Sequence, residues 1–372
     1  MTSLLFSPIT LAGLTLPNRI MVSPMCMYSA RDGLAESWHQ QHLATLAQSG
    51  AALLVIEATA VEARGRISPG CLGLWNDQQE EAFARLLAEL RKHSDIRVGI
   101  QLGHTGRKGA RMVTMPWGSR ALDPDEGGWP LVGPSALPYA PGYATPEGLD
   151  EAGLHQVREA FVSAARRADR AGFDHIEIHG AHGYLLHAFR APNSNQRTDH
   201  YGGGAENRHR FPLEVARAMR RAFSAAKPIG YRLNAEDWHD DGVSLAETIE
   251  FSRALRGIGI DYVTTSGGAG SPRIQPPAVA PGYMTGYSAT VRKEVGIATV
   301  AVGMILTAQQ AESTLAEGKA DMVAIGRGML DDPRWAHHAA AALGETPRLP
   351  LQYSKALPGA WPGYKIVHTP GS

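Results

Sequence analysis

The sequence predicts an α/β fold of the (β/α)8 TIM-barrel type, organised as a single domain over 1–372. Three observations carry that prediction. Short β-rich apolar runs recur eight times. Most are followed by a stretch with helical periodicity. The runs are apolar nearly throughout, as strands of a parallel sheet are when helices cover its outside. A doubly wound open sheet is the rival. It needs a glycine-rich phosphate turn after its first strand, and SPMCMYSARDG at 23–33 is not G-x-G-x-x-G.

In order, the strands are read at 20–24 (IMVSP), 52–57 (ALLVIE), 97–101 (RVGIQ), 174–179 (DHIEIH), 229–234 (IGYRLN), 260–265 (IDYVTT), 298–302 (ATVAV) and 321–325 (DMVAI). Between them, DQQEEAFARLLAELRK (77–92) sets Phe83, Leu86, Leu87 and Leu90 on one helical stripe. Ser244 with Glu247, and Thr307 with Gln310, have the spacing of capping boxes that open helices just after strands. Gly50, Gly172 and Gly318 are placed to close helices before the next strand. Two stretches break the rhythm. Residues 103–150, rich in Gly and Pro, are too long for a plain connection after strand three, and are expected to form a lid or small subdomain over the barrel mouth. The tail 347–372 has no clear period but carries Tyr353, Trp361 and Tyr364, as an arm that packs on something would.

Composition narrows the function. Lys plus Arg equals Asp plus Glu at 36 each, so nothing in the charge balance favours nucleic acid or an anionic membrane. Two cysteines, Cys26 and Cys71, exclude a disulfide scaffold and a four-thiolate cluster. The N-terminal stretch lacks a basic segment followed by a long apolar one, and no apolar run approaches 18 residues. A cytoplasmic protein acting on small molecules is the expectation.

A barrel places its chemistry at the C-terminal strand ends. Here those ends read Ser23-Pro24-Met25-Cys26, Glu57-Ala58, Gln101, His179 through Tyr184, Arg232 with Asn234, Gly267-Gly268, Gly303-Met304 and Gly326-Arg327. Glycines after strands seven and eight let backbone N–H groups approach an anion, and Arg327 adds charge, so a phosphate is expected there. Gln101 can both donate to and accept from a ring with imide edges, and Arg232 can stabilise such a ring in an anionic form. Together these suit a flavin mononucleotide.

EIHGAHGYLLHAF (177–189) leaves three readings open. Glu177, His179 and His182 could form a zinc set, which would make the protein a metal-dependent aldolase or hydrolase. The histidines could be a satisfied core pair. Or their N–H groups could donate to one substrate oxygen and stabilise an enolate-like charge. Tyr184, whose phenol titrates near ~10 when unperturbed, is an available acid.

The sequence resembles the old yellow enzymes, FMN-dependent ene-reductases, and within them the thermophilic-like subclass typified by bacterial xenobiotic reductases. The resemblance runs from FSPITLAGLTLPNRI at 6–20 to QYSKA at 352–356, and rests on SPMCMYSARDG, HGAHGYLLHAF, SNQRTDHYGG, ENRHRF and IGRGMLDDP. It implies tightly bound FMN and NAD(P)H as reductant. It implies that Ser23, Pro24, Met25, Cys26, Ala58, Gln101, Arg232, Gly303, Gly326 and Arg327 hold the flavin, with Cys26 tuning its potential and no metal in the site. His179 and His182 would bind the activating oxygen of an α,β-unsaturated carbonyl or nitro compound, Tyr28 would contact that substrate, and Tyr184 would protonate it. It also implies a homodimer or homotetramer. Arg190, Ala191 and Asn193 depart from the family pattern, and Lys355 stands where many subclass members have an Arg that reaches a partner subunit's active site.

Overall fold

All eight apolar runs are strands, and they close on themselves as a parallel barrel in the order in which they occur along the chain. The computed structural model describes residues 3–113, 118–357 and 359–367. A hairpin of β1 (Ile9–Leu11) and β2 (Leu14–Leu16) comes first. The barrel strands are β3 (Ile20–Val22), β4 (Leu53–Ala60), β5 (Arg97–Gly103), β10 (His175–Gly180), β11 (Ile229–Glu236), β12 (Tyr262–Gly267), β13 (Ala298–Ala301) and β14 (Met322–Ile325). Between β5 and β10 lie two small pairs. β6 (Arg111–Val113) runs antiparallel to β7 (Ser119–Ala121), and β8 (Val132–Gly133) runs parallel to β9 (Glu147–Gly148).

Helices α1 (Ser37–Ala47), α2 (Asp77–Arg91), α3 (Glu151–Ala171), α4 (Leu185–Arg190), α5 (Ala205–Ala222), α6 (Leu245–Ile258), α7 (Thr285–Val295) and α8 (Ala308–Ala316) accompany the barrel strands. They are followed by α9 (Arg327–Asp331), α10 (Trp335–Ala342) and α11 (Tyr364–Val367). The α2 stripe is buried as its period requires, with Phe83, Leu86, Leu87 and Leu90 all in the core between sheet and helices. Gly172 ends α3 at φ 95°, a left-handed conformation that costs glycine little.

Neither expected capping box is reciprocal. Ser244 and Thr307 each accept a hydrogen bond from the backbone three residues on. The return contacts go elsewhere because stronger partners compete for them. Glu247 pairs with Arg208. Gln310 accepts from the Leu306 N–H and donates to the Met304 carbonyl, each at 2.8 Å, and so braces the loop after β13.

Strand periodicity of two decides what the barrel interior contains. Met21, Leu53, Val55, Tyr262, Val300 and Met322 form an apolar cluster with Leu11 and Leu16 of the N-terminal hairpin. Two residues further along the same faces come Ser23, Glu57 and Thr264, and the interior turns polar towards the mouth. Glu57, Ala58, Gln101 and Arg232 lie inside their strands rather than beyond them. β4, β5 and β11 run longer than the apolar runs suggest, and β4 and β11 carry register irregularities at Ile56/Thr59 and Asn234/Glu236.

Candidate active site

Register sets the floor of the mouth. Glu177 lies level with Gln101, His179 with Arg232, and Arg232 with Thr264. Gln101 Nε2 donates to Glu177 at 2.7 Å, and Thr264 Oγ1 donates to the other carboxylate oxygen at 2.6 Å. Glu177 is therefore spent on its neighbours. It does not join His179 and His182 as a ligand, and among the described residues no group of three or more His, Cys, Asp or Glu is arranged to hold a metal ion.

Above that floor the turn 181–184 carries the histidine pair and the tyrosine. The His179 and His182 rings are 5.2 Å apart and nearly perpendicular, and the Tyr184 ring is 4.8 Å from His179. His182 has φ 60°, a region that non-glycine residues enter only when the surroundings hold them there. The surroundings do so from three sides. Its N–H donates to Asn234 Oδ1 at 3.0 Å, its carbonyl accepts from Lys108 Nζ at 2.7 Å, and its Nε2 lies 2.8 Å from Ser266 Oγ. Asn234 is fixed in turn by donating to Asp237 Oδ1 and to the Gly268 carbonyl, each at 2.6 Å. Asp237 also pairs at 2.9 Å with His187 Nε2, and His187 Nδ1 accepts from the Gly183 N–H at 3.0 Å. This buried chain locks the turn from below.

Burial controls the titration of these groups. It is the first cause holding both His179 and His182 well below the ordinary imidazole range, reinforced by the Arg232 charge, so both rings are neutral. Burial also pushes the Tyr184 phenol well up, helped by Cys26 and Tyr28, so it stays protonated. The Tyr184 hydroxyl makes no hydrogen bond within the described residues. Cys26 is raised by burial and then by the Glu57 carboxylate, and is a thiol rather than a thiolate. Tyr28, at φ 53°, is raised by burial and by Cys26. Glu57 holds this segment by accepting from the Met27 N–H at 3.0 Å.

Lys108 gave no sequence signal. Its Nζ donates to the carbonyls of His182 and Ala269, at 2.7 and 2.9 Å, and sits 5.4 Å from the Tyr184 ring centre. Burial, then Arg107, lowers its pKa to about 7. Residues 103–150 meet the mouth through this lysine and through Arg107 and Tyr139, which donate to the carbonyls of Gly270 and Ala269. A narrow cleft lies beside His179 and Tyr184, walled by Ala58, Ile67, Cys71 and His104. Cys71 and His104 were also missed as site-lining residues. Arg190, which departs from the family pattern, lies outside the mouth. It is buried over the Phe251 ring, and its Nη2 donates to Thr248 at 2.9 Å.

Residues 4–345 match the model of the NADH:flavin oxidoreductase / NADH oxidase family. The chain belongs to that family. It is 40% identical to the NADPH dehydrogenase of Geobacillus sp. (strain WCH70) over 358 residues, covering 95% of this chain and 99% of that one. It is 42% identical to the NADPH dehydrogenase of Listeria innocua over 356 residues, with the same shares covered. Morphinone reductase superposes with TM-score 0.77 at 27% identity, covering 94% of this chain and 91% of that one. The old yellow enzyme homologue from Zymomonas mobilis gives 0.73 at 25%, covering 88% and 90%. A 2-naphthoyl-CoA reductase superposes at 0.81 and 22% identity over 92% of this chain, which spans about half (52%) of that longer chain. That likeness is one of fold alone. The protein is an NAD(P)H-dependent flavin oxidoreductase of the old yellow enzyme family, with FMN as cofactor.

The mouth fits such a cofactor. Arg232 Nε is buried and has no hydrogen-bond partner, so the guanidinium awaits an acceptor. Arg327, exposed at the first position of α9, makes no hydrogen bond or ion pair among the described residues. A Cβ added at Gly326 would stand in ordinary contact with Met25 and Ser23, at 3.6 and 3.7 Å, so the backbone there packs beside the first strand's end. Gly303 has φ 108°, which the turn after β13 could not readily take with a side chain.

Proposed function

We propose that the enzyme reduces activated C=C bonds of α,β-unsaturated carbonyl or nitro compounds. The observation that carries this reading is the pair of neutral imidazoles converging beside an unpartnered, protonated tyrosine at the flavin end of the barrel. FMN, held by residues such as Gln101, Arg232 and Arg327, would supply hydride-transfer chemistry towards the alkene's β-carbon, with NAD(P)H as the reductant. The chain's own residues do the rest. His179 and His182 donate to the substrate's oxygen and draw charge from the alkene, each donor contributing ~3 kcal/mol to barrier lowering. Tyr184 delivers its proton to the α-carbon. Its raised pKa keeps that proton in place across the working pH range. Tyr28 lines the substrate side.

Ser23, Pro24, Met25, Cys26, Ala58 and Gln101 run beside the flavin ring in this reading, Arg232 faces its polar edge, and Gly303, Gly326 and Arg327 hold the phosphate. The thiol form of Cys26 supports a role in tuning the potential rather than as a nucleophile. The exposed apolar side chains of the C-terminal arm support assembly as a homodimer or homotetramer. Stopped-flow kinetics of Tyr184→Phe test the central step. Flavin bleaching by NADPH should survive, while recovery of colour on adding cyclohexenone should slow by ~100-fold. Recovery at the normal rate would remove Tyr184 as the acid.

A further inference from the structure

The histidine pair raises a question of proton placement. A neutral imidazole has one N–H, and which nitrogen carries it is set by what the other nitrogen meets. His179 Nδ1 accepts from the Ala181 N–H at 3.3 Å, so its proton is on Nε2. His182 is held at the other nitrogen: its Nε2 lies 2.8 Å from Ser266 Oγ. Either atom could be the donor in that contact. Ser266 Oγ is in a buried residue, 4% exposed, and makes no second hydrogen bond among the described residues. If His182 were the donor, the serine's own O–H would be buried with nothing to bond, an arrangement that costs on the order of 1–3 kcal/mol.

The strand register fixes the contact itself. Ser266 follows Tyr262 and Thr264 on the inward face of β12, so its hydroxyl reaches His182 from the barrel side. The turn cannot relax away from it, because the His182 N–H and carbonyl are tied to Asn234 and Lys108.

We propose that Ser266 is a positioning residue that donates to His182 Nε2 and so places the imidazole proton on Nδ1, turning His182 into a donor that acts beside His179 Nε2–H. The two rings then carry opposite tautomers and present two N–H groups to a single oxygen. With the proton on Nε2 instead, His182 would offer a lone pair to the substrate oxygen and repel it. This inference rests on the functional reading above.

The test uses FMN-loaded enzyme labelled with ¹⁵N-histidine, with the His182 signals assigned by their loss in His182→Asn. Long-range ¹H–¹⁵N spectra should show the Nδ1–H pattern for His182 in the wild type. In Ser266→Ala the pattern should move to Nε2–H or to a mixture, and Ser266→Thr, which keeps a hydroxyl, should restore it. Cyclohexenone reduction should slow by ~10-fold in Ser266→Ala, less than the loss expected for removing a donor outright, and recover in Ser266→Thr. An Nε2–H pattern in the wild type overturns the assignment. So does a Ser266→Ala enzyme that keeps the wild-type rate while His182→Ala is impaired. If His182→Ala itself reduces cyclohexenone normally, the functional reading falls and Ser266 with it.

Discussion

Arg232 shows how much a single side chain can say once its partners are known. From the sequence it is one basic residue in a strand of otherwise apolar character. In the barrel it lies between His179 and Thr264, its Nε buried without an acceptor. Glu177, the carboxylate whose charge acts on Arg232, is already bonded to Gln101 and Thr264, so the guanidinium keeps its fork free for a ligand. Arg232→Met should therefore release flavin. A hydrogen bond to a charged group contributes about 1.5–3 kcal/mol, which corresponds to ~10–100-fold weaker FMN binding. Arg232→Lys should fall between, because lysine keeps the charge and loses the planar fork. Fluorescence of FMN in the dialysate reads the effect directly. Wild-type retention in both variants would take Arg232 out of the cofactor site. The strand-end residues were legible because period two puts them on the inward face. Ser266 and Asp237 were not, since their importance lies in what they hold: the histidine ring and the turn that carries it.

At the scale of elements, regular segments announced themselves and irregular ones did not. The eight strands could be read because each is an apolar run bounded by turns. Residues 103–150 have no period, and nothing in their pattern marks which side chains face inward. Lys108 illustrates the reason. A lysine in GRKG reads as solvent-exposed, yet its ammonium is held by carbonyls 74 and 161 residues away, a fact of tertiary docking alone. The C-terminal arm poses the reverse case. Leu351 and Ile366 are 84% and 71% exposed, with Trp361 and Val367 also open to solvent, an apolar set that one chain leaves uncovered. If the arm packs on a second copy, deleting 349–372 should convert a dimer or tetramer to a single protomer, as read by light scattering on the eluting holoenzyme. A full-length chain already running at 39.9 kDa would contradict the assembly.

For the molecule as a whole, a barrel whose interior turns polar must hold several histidines neutral. His175 has neither ring nitrogen partnered, and burial drives it down to about 3. His209 is lowered to about 3 by burial and then by Arg190 and Arg208, and His179 and His182 lie well below the ordinary value. Unfolded, each takes a proton near pH 6.5. Below that pH the unfolded chain binds more protons than the native one, so stability falls as pH drops from 6.5 towards the folded values, and is fully present above 6.5. His175 and His209 each contribute about 1.4 kcal/mol per pH unit below 6.5, so the two cost ~3 kcal/mol between pH 7.5 and 5.5, and His179 and His182 act in the same direction. Asp237 and Glu62 extend the loss further into acid. Asp237 is held low by His187, and Glu62 is brought to about 2 by His104 and Arg64. Their stabilisation is complete above the unfolded carboxylate values near ~4 and disappears as pH falls through the folded ones. Urea melts of the holoenzyme at the two pH values measure the histidine part. His175→Phe fills the same space beside Tyr262 with a ring that cannot charge. It should reduce the pH-dependent loss by about 1.4 kcal/mol, whatever it does to stability at pH 7.5. An unchanged difference between the two pH values would mean that His175 is protonated in the folded barrel, which its unpartnered nitrogens could not accommodate.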